Sequence, residues 1–258
     1  MAAEGTIPRA MLIIRALAGS EGDLSIQELA ESLGLPTSTV HRILQMLRAE
    51  GMAEHDLSSR RYRPGPELLR VAAMLGARHT LDEGSLVHLQ EIVAASNENA
   101  QFGVLLRADL SMMFTQQVQS SHSLRFNAQL FEPKSLLWGC SGRVIAAYLS
   151  EDEIRAIVAE AGHSPVTGAA PPALADFERA LAGIRERGWD TTRGEKLAES
   201  VGFAAPVFSA KGIVGSISMT IPAHRFAEGS RDEFVRLVTT AAAAFGHELG
   251  APSPAVAG

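Results

Sequence analysis

The sequence predicts an α+β fold in two domains, a small helical domain followed by a larger domain with a mainly antiparallel sheet. Three amphipathic helix patterns and a hairpin pattern occupy residues 1–65. From residue 81 onward, strand and helix patterns interleave without the strict alternation typical of a parallel sheet. A linker helix is predicted over 66–80, the second domain over 81–250, and a disordered tail over 251–258.

The first helices are predicted by the spacing of apolar residues and by cap motifs. Over 8–18, apolar side chains recur at i, i+3, i+4 and i+7, which places them on one face of a helix. Residues 25–28, Ser-Ile-Gln-Glu, have the form of a capping box and predict the start of a second, shorter helix. Gly34 suits the end of that helix, and Pro36 suits the first turn of a third helix that continues to about Glu50.

Two short extended segments and a two-sided helix follow. Residues 52–55 and 61–63 flank the turn-like sequence 56–60, Asp-Leu-Ser-Ser-Arg, and predict a β-hairpin. The helix over 67–79 is apolar on two sides, so one side can pack on its own domain while the other needs a partner. This pattern predicts dimerisation at the junction between the two domains.

The second domain is predicted to contain five strands and five helices. The strands are expected at 100–106, 112–117, 123–127, 203–209 and 213–221. The helices are expected at 81–95, 142–149, 152–161, 174–187 and after residue 230, with capping boxes at Ser150–Glu153 and Ser230–Glu233. This order favours a mainly antiparallel sheet with helices on its faces.

Composition and charge exclude several classes of protein. With 46% hydrophobic and 20% charged residues among 258, the chain is globular and not disordered or fibrous. The chain lacks an apolar run of roughly 18–20 residues and the features of a signal peptide, and it has one cysteine, so we expect a cytoplasmic protein with no membrane partner. Because the net charge is −6, any nucleic-acid binding depends on a local basic patch.

The three helices and the hairpin match the winged helix-turn-helix, in which the second helix of the motif lies in the major groove of DNA. Here that helix is PTSTVHRILQMLRAEG, and its apolar stripe leaves a polar face on the opposite side. The residues predicted to contact DNA from this helix are Thr37, Ser38, Thr39, His41, Arg42 and Gln45. Arginine can pair with guanine and glutamine with adenine, and hydroxyl groups can contact phosphates.

The hairpin loop adds local positive charge. The residues that we expect to lie against backbone phosphates or to enter a minor groove are Ser59, Arg60, Arg61 and Arg63. The alternative interpretation is a solvated helix face and an ordinary polar loop. Both features occur in order within one short segment, which favours binding to double-stranded DNA.

Four segments carry a more specific pattern. LSIQELAESLGLPTSTVHRILQMLRAEGMAEHD and RRYRPGPELLRVA lie in the first part of the chain, and WGCSGRVIAAYLSEDE and TTRGEKLAESVGFAAPVFSAKGIVGSISMTIPAHR in the second. Together they resemble the DNA-binding and effector-binding halves of IclR-family transcriptional regulators. The resemblance implies a homodimer or homotetramer that binds a pseudo-palindromic operator, and we expect a repressor. It also implies a GAF-like domain that binds a small organic effector.

The resemblance further implies where the effector binds. By motif position, the site contains Cys140, Ser141, Gly142, Thr192, Gly202, Ser218 and Thr220. The aromatic residues expected to add walls are Phe126, Trp138 and Phe203.

Two positions of this site, and one in the loop before the predicted strand 203–209, depart from the family pattern. Thr192 stands where the family often has an acid, Gly202 where it often has a cysteine, and Glu199 where it often has a glycine. The site is therefore expected to be roomier and less polar, and the positions assigned by the resemblance include no arginine or lysine. We expect a compact aromatic or amide-bearing effector and not a two-carbon acid such as glyoxylate. An aromatic carboxylate is also compatible, because backbone N–H groups at the start of the helix near Gly142 favour negative charge.

Other interpretations of the second domain are open. An enzyme would need Cys140 as nucleophile with one of eight histidines as base, yet no histidine lies near it in sequence and no metal or phosphate motif occurs. A structural zinc site would need cysteine and histidine to meet in space. A protein–protein adaptor would differ from a regulator in not binding DNA. We expect no enzyme activity, no cofactor and no metal.

Overall fold

The computed structural model describes residues 5–76, 80–195 and 197–252. The chain divides into two compact units, residues 1–79 and 80–258. The predicted end of the linker helix at 77–79 and the predicted tail beyond residue 252 lie outside the described residues.

In its described part, the first unit consists of four helices and a hairpin. The elements are α1 Thr6–Gly19, α2 Ile26–Leu33, α3 Thr37–Ala49, β1 Ala53–Asp56, β2 Arg61–Pro64 and α4 Pro66–Gly76. The predicted capping box is confirmed: the Ser25 hydroxyl accepts a hydrogen bond from the Glu28 backbone N–H, and the Glu28 carboxylate accepts one from the Ser25 N–H. Gly34 ends α2 at φ 62, in the left-handed region that glycine adopts without strain.

The apolar stripe of α3 forms the core of the first unit. The residues buried on this stripe are Val40, Ile43, Leu44 and Leu47. They belong to one cluster with Ile13 and Leu17 of α1 and Leu29 of α2. Leu24 and Tyr62 exchange two backbone hydrogen bonds of 2.8 and 2.7 Å, which fix the hairpin to the segment before α2. Burial of one side of α3 thus determines which side faces solvent.

The second unit is built on one antiparallel sheet. Its strands are β3 Asn99–Leu106, β4 Ser111–Val118, β5 Lys134–Ser135, β6 Asp190–Arg193, β7 Ser200–Ser209 and β8 Gly212–Pro222. Its α-helices are α5 Thr80–Ser96, α6 Cys140–Ala146, α7 Glu151–Glu160, α8 Leu174–Arg187 and α9 Arg231–Glu248. The strand order is β5-β4-β3-β8-β7-β6, and every pair is antiparallel.

Helices cover both faces of this sheet. Phe102, Phe203 and Ile217 lie on one face, in a cluster with Phe245 of α9 and side chains of α5. Ala204 lies on the other face, in a cluster with side chains of α6, α7 and α8. Because successive residues of a strand point to opposite faces, a ligand on one side of the sheet is reached by alternate residues only.

The structure corrects three sequence predictions in the second unit. The predicted strand at 123–127 is absent; these residues belong to the loop 119–133, which hydrogen bonds from side chains to backbone hold in place. Strands β5 and β6, of two and four residues, were not predicted. The capping box at Ser230 is absent, because a preceding 3₁₀ turn leaves Ser230 at φ −90 and ψ 0 and not in the extended conformation of such a cap.

Candidate functional site

The polar face of α3 is open to solvent. Thr37, Ser38, His41, Arg42 and Gln45 are exposed, and Thr39 is half-buried. Among the described residues, none forms a hydrogen bond or an ion pair with the Arg42 guanidinium. The predicted recognition face therefore offers a cation and an amide that have no internal role in the described structure.

The hairpin tip is shaped by one carboxylate. Asp56 accepts hydrogen bonds from the Ser58 N–H at 2.8 Å, the Ser58 hydroxyl at 2.7 Å and the Ser59 hydroxyl at 2.8 Å. These bonds, those from Ser58 first, hold the pKa of Asp56 well below its ordinary value. Arg60 follows at φ 58 with its side chain exposed at the tip. The turn thus presents Arg60 to solvent and uses Ser59 to hold its own geometry.

Two of the predicted DNA-contacting arginines have partners inside the first unit. Arg61 donates from Nη1 to the Asp23 carbonyl at 2.6 Å and from Nη2 to Glu28 Oε1 at 3.1 Å. Arg63 donates from Nε to Glu54 at 2.8 Å. The positive charge of the hairpin is therefore smaller than expected, because Glu28 and Glu54 offset Arg61 and Arg63. Of these three arginines, Arg60 alone has no carboxylate partner in the described part of the chain.

A groove lies between α3 and the hairpin and was missed by sequence reasoning. It has a volume of about 640 Å³ and is lined by Gln45, Arg48, Ala49, Ala53, Glu54, His55 and Arg63. Arg48 lies three residues beyond Gln45 and six beyond Arg42, so helical spacing places all three on neighbouring positions of one face. That spacing was the available signal for Arg48, whereas nothing in the sequence indicated that His55 would stack on Tyr62.

A cavity of about 500 Å³ lies in the second unit, on the sheet face that packs against α6. Of the predicted effector residues, those that line it are Phe126, Trp138, Cys140, Ser141, Thr192, Gly202 and Thr220. The structure therefore brings together residues from α6, β6, β7, β8 and the loop 119–133. Cys140 and Thr192 touch directly, because the Cys140 N–H donates to the Thr192 hydroxyl at 3.3 Å.

Three predicted effector residues do not line the cavity. Phe203 faces the opposite side of the sheet, where its ring lies 5.6 and 5.7 Å from the rings of Phe226 and Phe234. Since Gly202 faces the cavity, its neighbour Phe203 must face away. Ser218 is on the cavity face but is 1% exposed and donates to Gln101. Gly142 packs so closely that a Cβ atom on it would lie 2.7 Å from the Ser135 carbonyl oxygen.

The cavity also contains residues that sequence reasoning missed. Phe114 adds an aromatic wall, and Lys134 and His163 add groups that can carry positive charge. Lys134 donates to Gln129 at 3.0 Å and to Glu132 at 2.7 Å. The positions that the family resemblance assigned to the effector site contain no lysine. Lys134 lies on a strand of two residues, which gives no sequence signal.

The most buried polar group of the cavity is Gln101, which was also missed. It lies in the middle of β3, is 1% exposed, and lines the cavity. Its carbonyl oxygen accepts hydrogen bonds from the hydroxyls of Ser218 at 3.5 Å and Thr220 at 3.4 Å. The signal available in the sequence was a glutamine on the strand face opposite to its apolar neighbours Ala100 and Phe102.

An ion network around the buried Asp190 carboxylate holds α6 against β6. Arg143 donates from Nε to Asp190 at 2.7 Å and from Nη1 to Glu195 at 3.1 Å, and Arg187 donates to the other Asp190 oxygen at 2.7 Å. Burial alone would lower the pKa of Arg143, but Asp190 and Glu195 raise it above its ordinary value. The network fixes the distance between Cys140 and the strand that carries Thr192.

The loop 119–133 crosses the cavity and is anchored by one asparagine. Asn99 donates from Nδ2 to the Phe126 carbonyl at 2.7 Å, and its Oδ1 accepts the Ser120 N–H at 2.7 Å. Glu98 holds Arg225 through two bonds of 2.8 and 2.7 Å, and Arg225 also donates to the loop. The position of Phe126 in the cavity wall thus depends on side chains at the start of β3.

Neither a cluster of metal ligands nor a membrane-spanning helix is found among the described residues. No group of three or more histidine, cysteine, aspartate or glutamate residues there is arranged to hold a metal ion. None of the helices there combines the length and apolar character of a membrane span.

Comparison with known proteins identifies the family. The IclR helix-turn-helix domain matches residues 6–57, and the bacterial transcriptional regulator IclR C-terminal domain matches residues 75–247. The glycerol operon regulatory protein of Streptomyces griseus is 30% identical over 249 residues, which cover 95% of this chain and 96% of that protein. The chain belongs to the IclR family of bacterial transcriptional regulators, whose members bind operator DNA and small-molecule effectors. Its relatives are regulators and not enzymes.

Solved structures confirm the predicted α+β fold. A relative from Silicibacter sp. TM1040 superposes with a TM-score of 0.86 at 20% identity, over 97% of this chain and 98% of that one. An IclR homologue from Microbacterium hydrocarbonoxydans, solved in complex with 4-hydroxybenzoate, superposes with a TM-score of 0.77 at 17% identity, over 95% and 99% of the two chains. At these identities, the likeness establishes the arrangement of helices and sheet.

Proposed function

We propose that this protein is a repressor that binds a pseudo-palindromic operator as a homodimer or homotetramer and is controlled by a compact aromatic or amide-bearing effector. The observation that carries the proposal is the cavity of about 500 Å³ in a domain of a DNA-binding regulator, with Phe114, Phe126 and Trp138 in its walls. Pockets for small organic ligands commonly have about 300–1,000 Å³ and mainly apolar walls.

The exposed face of α3 supports the DNA-binding part of the proposal. Arg42 and Gln45 carry the groups that read guanine and adenine in a major groove. Arg60 at the hairpin tip is free to contact a backbone phosphate, and Arg48 and His55 add polar groups in the groove between α3 and the hairpin. Base contacts then come from α3 and sequence-independent affinity from the hairpin.

Apolar side chains on α4 and α1 support self-association. Leu69 is 76% exposed and Met74 is 50% exposed on α4, and Ile7 and Met11 are exposed on α1. Such side chains lose contact with water when a second copy covers them. A two-fold dimer requires half-sites about one helical turn of DNA apart, or a multiple of it.

The cavity supports an aromatic or amide-bearing effector. A two-carbon acid would leave most of the volume unfilled and would touch few of the aromatic side chains. The Microbacterium hydrocarbonoxydans homologue binds 4-hydroxybenzoate, which is an aromatic molecule of suitable size. Lys134 lies in the cavity wall and is compatible with an acidic substituent, although Glu132 already offsets its charge.

Selection of duplexes from a random library, followed by anisotropy titration, tests DNA binding directly. A thermal-shift screen of aromatic acids, aromatic amides and short keto acids then tests the effector, with each hit added to the DNA titration. We expect a palindromic consensus, stabilisation by an aromatic compound and a change in DNA affinity when it binds. Stabilisation by glyoxylate or pyruvate alone would contradict the effector class, and failure to enrich any sequence would favour a protein–protein adaptor.

A further inference from the structure

Gln101 is a glutamine amide placed at the centre of a sheet. It belongs to β3, which lies between β4 and β8, so its backbone is held on both sides. Its neighbours Ala100 and Phe102 point to the opposite face, into the cluster with Phe245. The side chain is 1% exposed and borders the cavity. A polar group so deeply buried is costly unless its donors and acceptors are paired.

The two ends of this amide are used unequally. The carbonyl oxygen accepts from two hydroxyls, those of Ser218 and Thr220, which occupies both of its lone pairs. The amide nitrogen carries two N–H donors, and no acceptor within the described residues forms a hydrogen bond with it. Since the oxygen is turned toward β8, the nitrogen is the polar atom that the side chain offers to the cavity.

Thr220 complements this donor. It is half-buried, also lines the cavity, and uses its hydroxyl hydrogen toward Gln101. Its oxygen therefore retains lone pairs that can accept a hydrogen bond. Gln101 and Thr220 thus offer a donor and an acceptor side by side. A carboxamide matches this pattern, because its C=O can accept from the Gln101 N–H and its N–H can donate to the Thr220 oxygen.

A carboxylate matches this pattern less well. Lys134 pairs opposite Met112 on β4, whereas Gln101 pairs opposite Gln117. Met112 and Gln117 are five residues apart along β4, so their backbones lie about 17 Å apart. A carboxylate beside Gln101 would lose its hydration and face the Thr220 lone pairs, and the charge of Lys134 is already offset by Glu132.

We infer that Gln101 and Thr220 form the specificity-determining subsite of the cavity, and that they select an aromatic effector carrying a neutral carboxamide. This inference rests on the proposed function, because it assumes that the cavity binds the effector. The aromatic ring lies among Phe114, Phe126 and Trp138, and the amide binds at the sheet.

Calorimetric titration of the full-length protein with benzamide, benzoate and isopropylbenzene tests the inference. These probes share a phenyl ring and a three-atom branched substituent, and they differ in charge and in hydrogen bonding. Wild-type protein is expected to bind benzamide most tightly. Gln101→Met, which keeps length but removes the donors, is expected to weaken benzamide about tenfold and to leave isopropylbenzene unchanged. Thr220→Val is expected to weaken benzamide by a smaller factor.

Gln117→Met is the matched control. Gln117 pairs opposite Gln101 on β4 and does not line the cavity, so its loss is expected to leave all three affinities unchanged. Circular dichroism and operator binding establish that each variant is folded. If a variant of Gln101 does not fold, the Thr220→Val variant and the ranking of probes on wild-type protein decide the question.

The outcomes separate the inference from the proposed function. The subsite is overturned if Gln101→Met binds benzamide as tightly as wild-type protein does, or if wild-type protein binds benzoate more tightly than benzamide. Either result leaves the proposal of an effector-controlled regulator intact. Binding of none of the three probes overturns the subsite together with the aromatic effector class. Failure to bind operator DNA contradicts the proposed function and is measured separately.

Discussion

A Cβ atom on Gly202 of β7 would lie 2.8 Å from the Sγ atom of Cys140 on α6. The two residues therefore meet across the cavity wall at a distance that only a residue without a side chain allows. The same Cβ atom would lie 3.5 Å from the Thr192 hydroxyl oxygen, which is an ordinary contact. Gly202 thus fixes how closely α6 approaches the sheet.

Replacing Gly202 with alanine is expected to force Cys140 or α6 to shift. Overpacking of this kind typically costs about 1–3 kcal/mol of unfolding free energy. Urea denaturation of the full chain measures this cost. Gly162→Ala is the matched control, because Gly162 lines the same cavity but a Cβ there would meet no atom within 4 Å. Equal stability of the two variants would show that the contact is not restrictive.

Arg42→Ala is expected to weaken operator binding by about 1–3 kcal/mol and to relax sequence preference at one base pair. Arg42→Lys keeps the charge but loses the planar fork that guanine requires, so it is expected to lose sequence preference as well. Anisotropy titration on the selected operator and on single-base variants measures both effects. A lysine variant that retains full preference would assign Arg42 to phosphate binding.

Arg60 and Arg61 are adjacent, yet they are expected to respond differently to substitution. Arg60→Ala should reduce the slope of log affinity against log salt concentration by about one, as expected for loss of one phosphate contact. Arg61→Ala should leave that slope nearly unchanged and lower the melting temperature, because Arg61 binds the Asp23 carbonyl and Glu28. A larger slope change for Arg61 than for Arg60 would reverse these assignments.

Asn99→Ala is expected to release the loop 119–133. The substitution removes one donor to the Phe126 carbonyl and one acceptor for the Ser120 N–H, and each unpaired buried group costs about 1–3 kcal/mol. Faster amide hydrogen exchange across 119–127 would report the release. Asn127→Ala, an exposed change in the same loop, should leave the exchange of this segment at the wild-type rate.

Asp56 is expected to stabilise the hairpin only when it is ionised. Hydrogen bonds from Ser58 and Ser59 lower its pKa in the folded protein below the ordinary value of 3.8, so its contribution is complete above that pH and is lost as the pH falls through the folded pKa. Asp56→Asn should therefore melt at a lower temperature than wild type at pH 7, with a smaller difference at pH 2. An equal difference in melting temperature at pH 7 and at pH 2 would contradict this role.

The elements with regular spacing could be predicted from the sequence. The stripe of α3, the cap at Ser25 and the long strands β7 and β8 follow from local pattern, because hydrophobic period and cap chemistry act within a few residues. Strands β5 and β6 could not be predicted, because each exists only through pairing with a longer neighbour.

Only part of the cavity lining could be predicted, because several of its residues reach the cavity through contacts that are distant in sequence. Motif position located Cys140 and Gly202, which face each other, but it also selected Phe203, which strand alternation excludes. Gln101 was missed because its role depends on Ser218 and Thr220, which are more than a hundred residues away in sequence. Lys134 was missed because its approach to the cavity depends on the pairing of β5 with β4.

Helix α5 has a consequence for how a signal travels. It spans 17 residues, or about 25 Å, from Thr80, just after the segment that joins the two units, to Ser96, just before Asn97 and Asn99 hold the loop over the cavity. A helix transmits rotation as well as displacement, since each residue turns the chain by about 100°. One residue inserted in its first turn would rotate the start of α5 relative to Ser96 by that angle, whereas seven, close to two full turns, would restore the direction to within about 20°. The effect of such insertions on effector-controlled operator binding is then expected to vary with helical phase, with a period that an insertion series would trace.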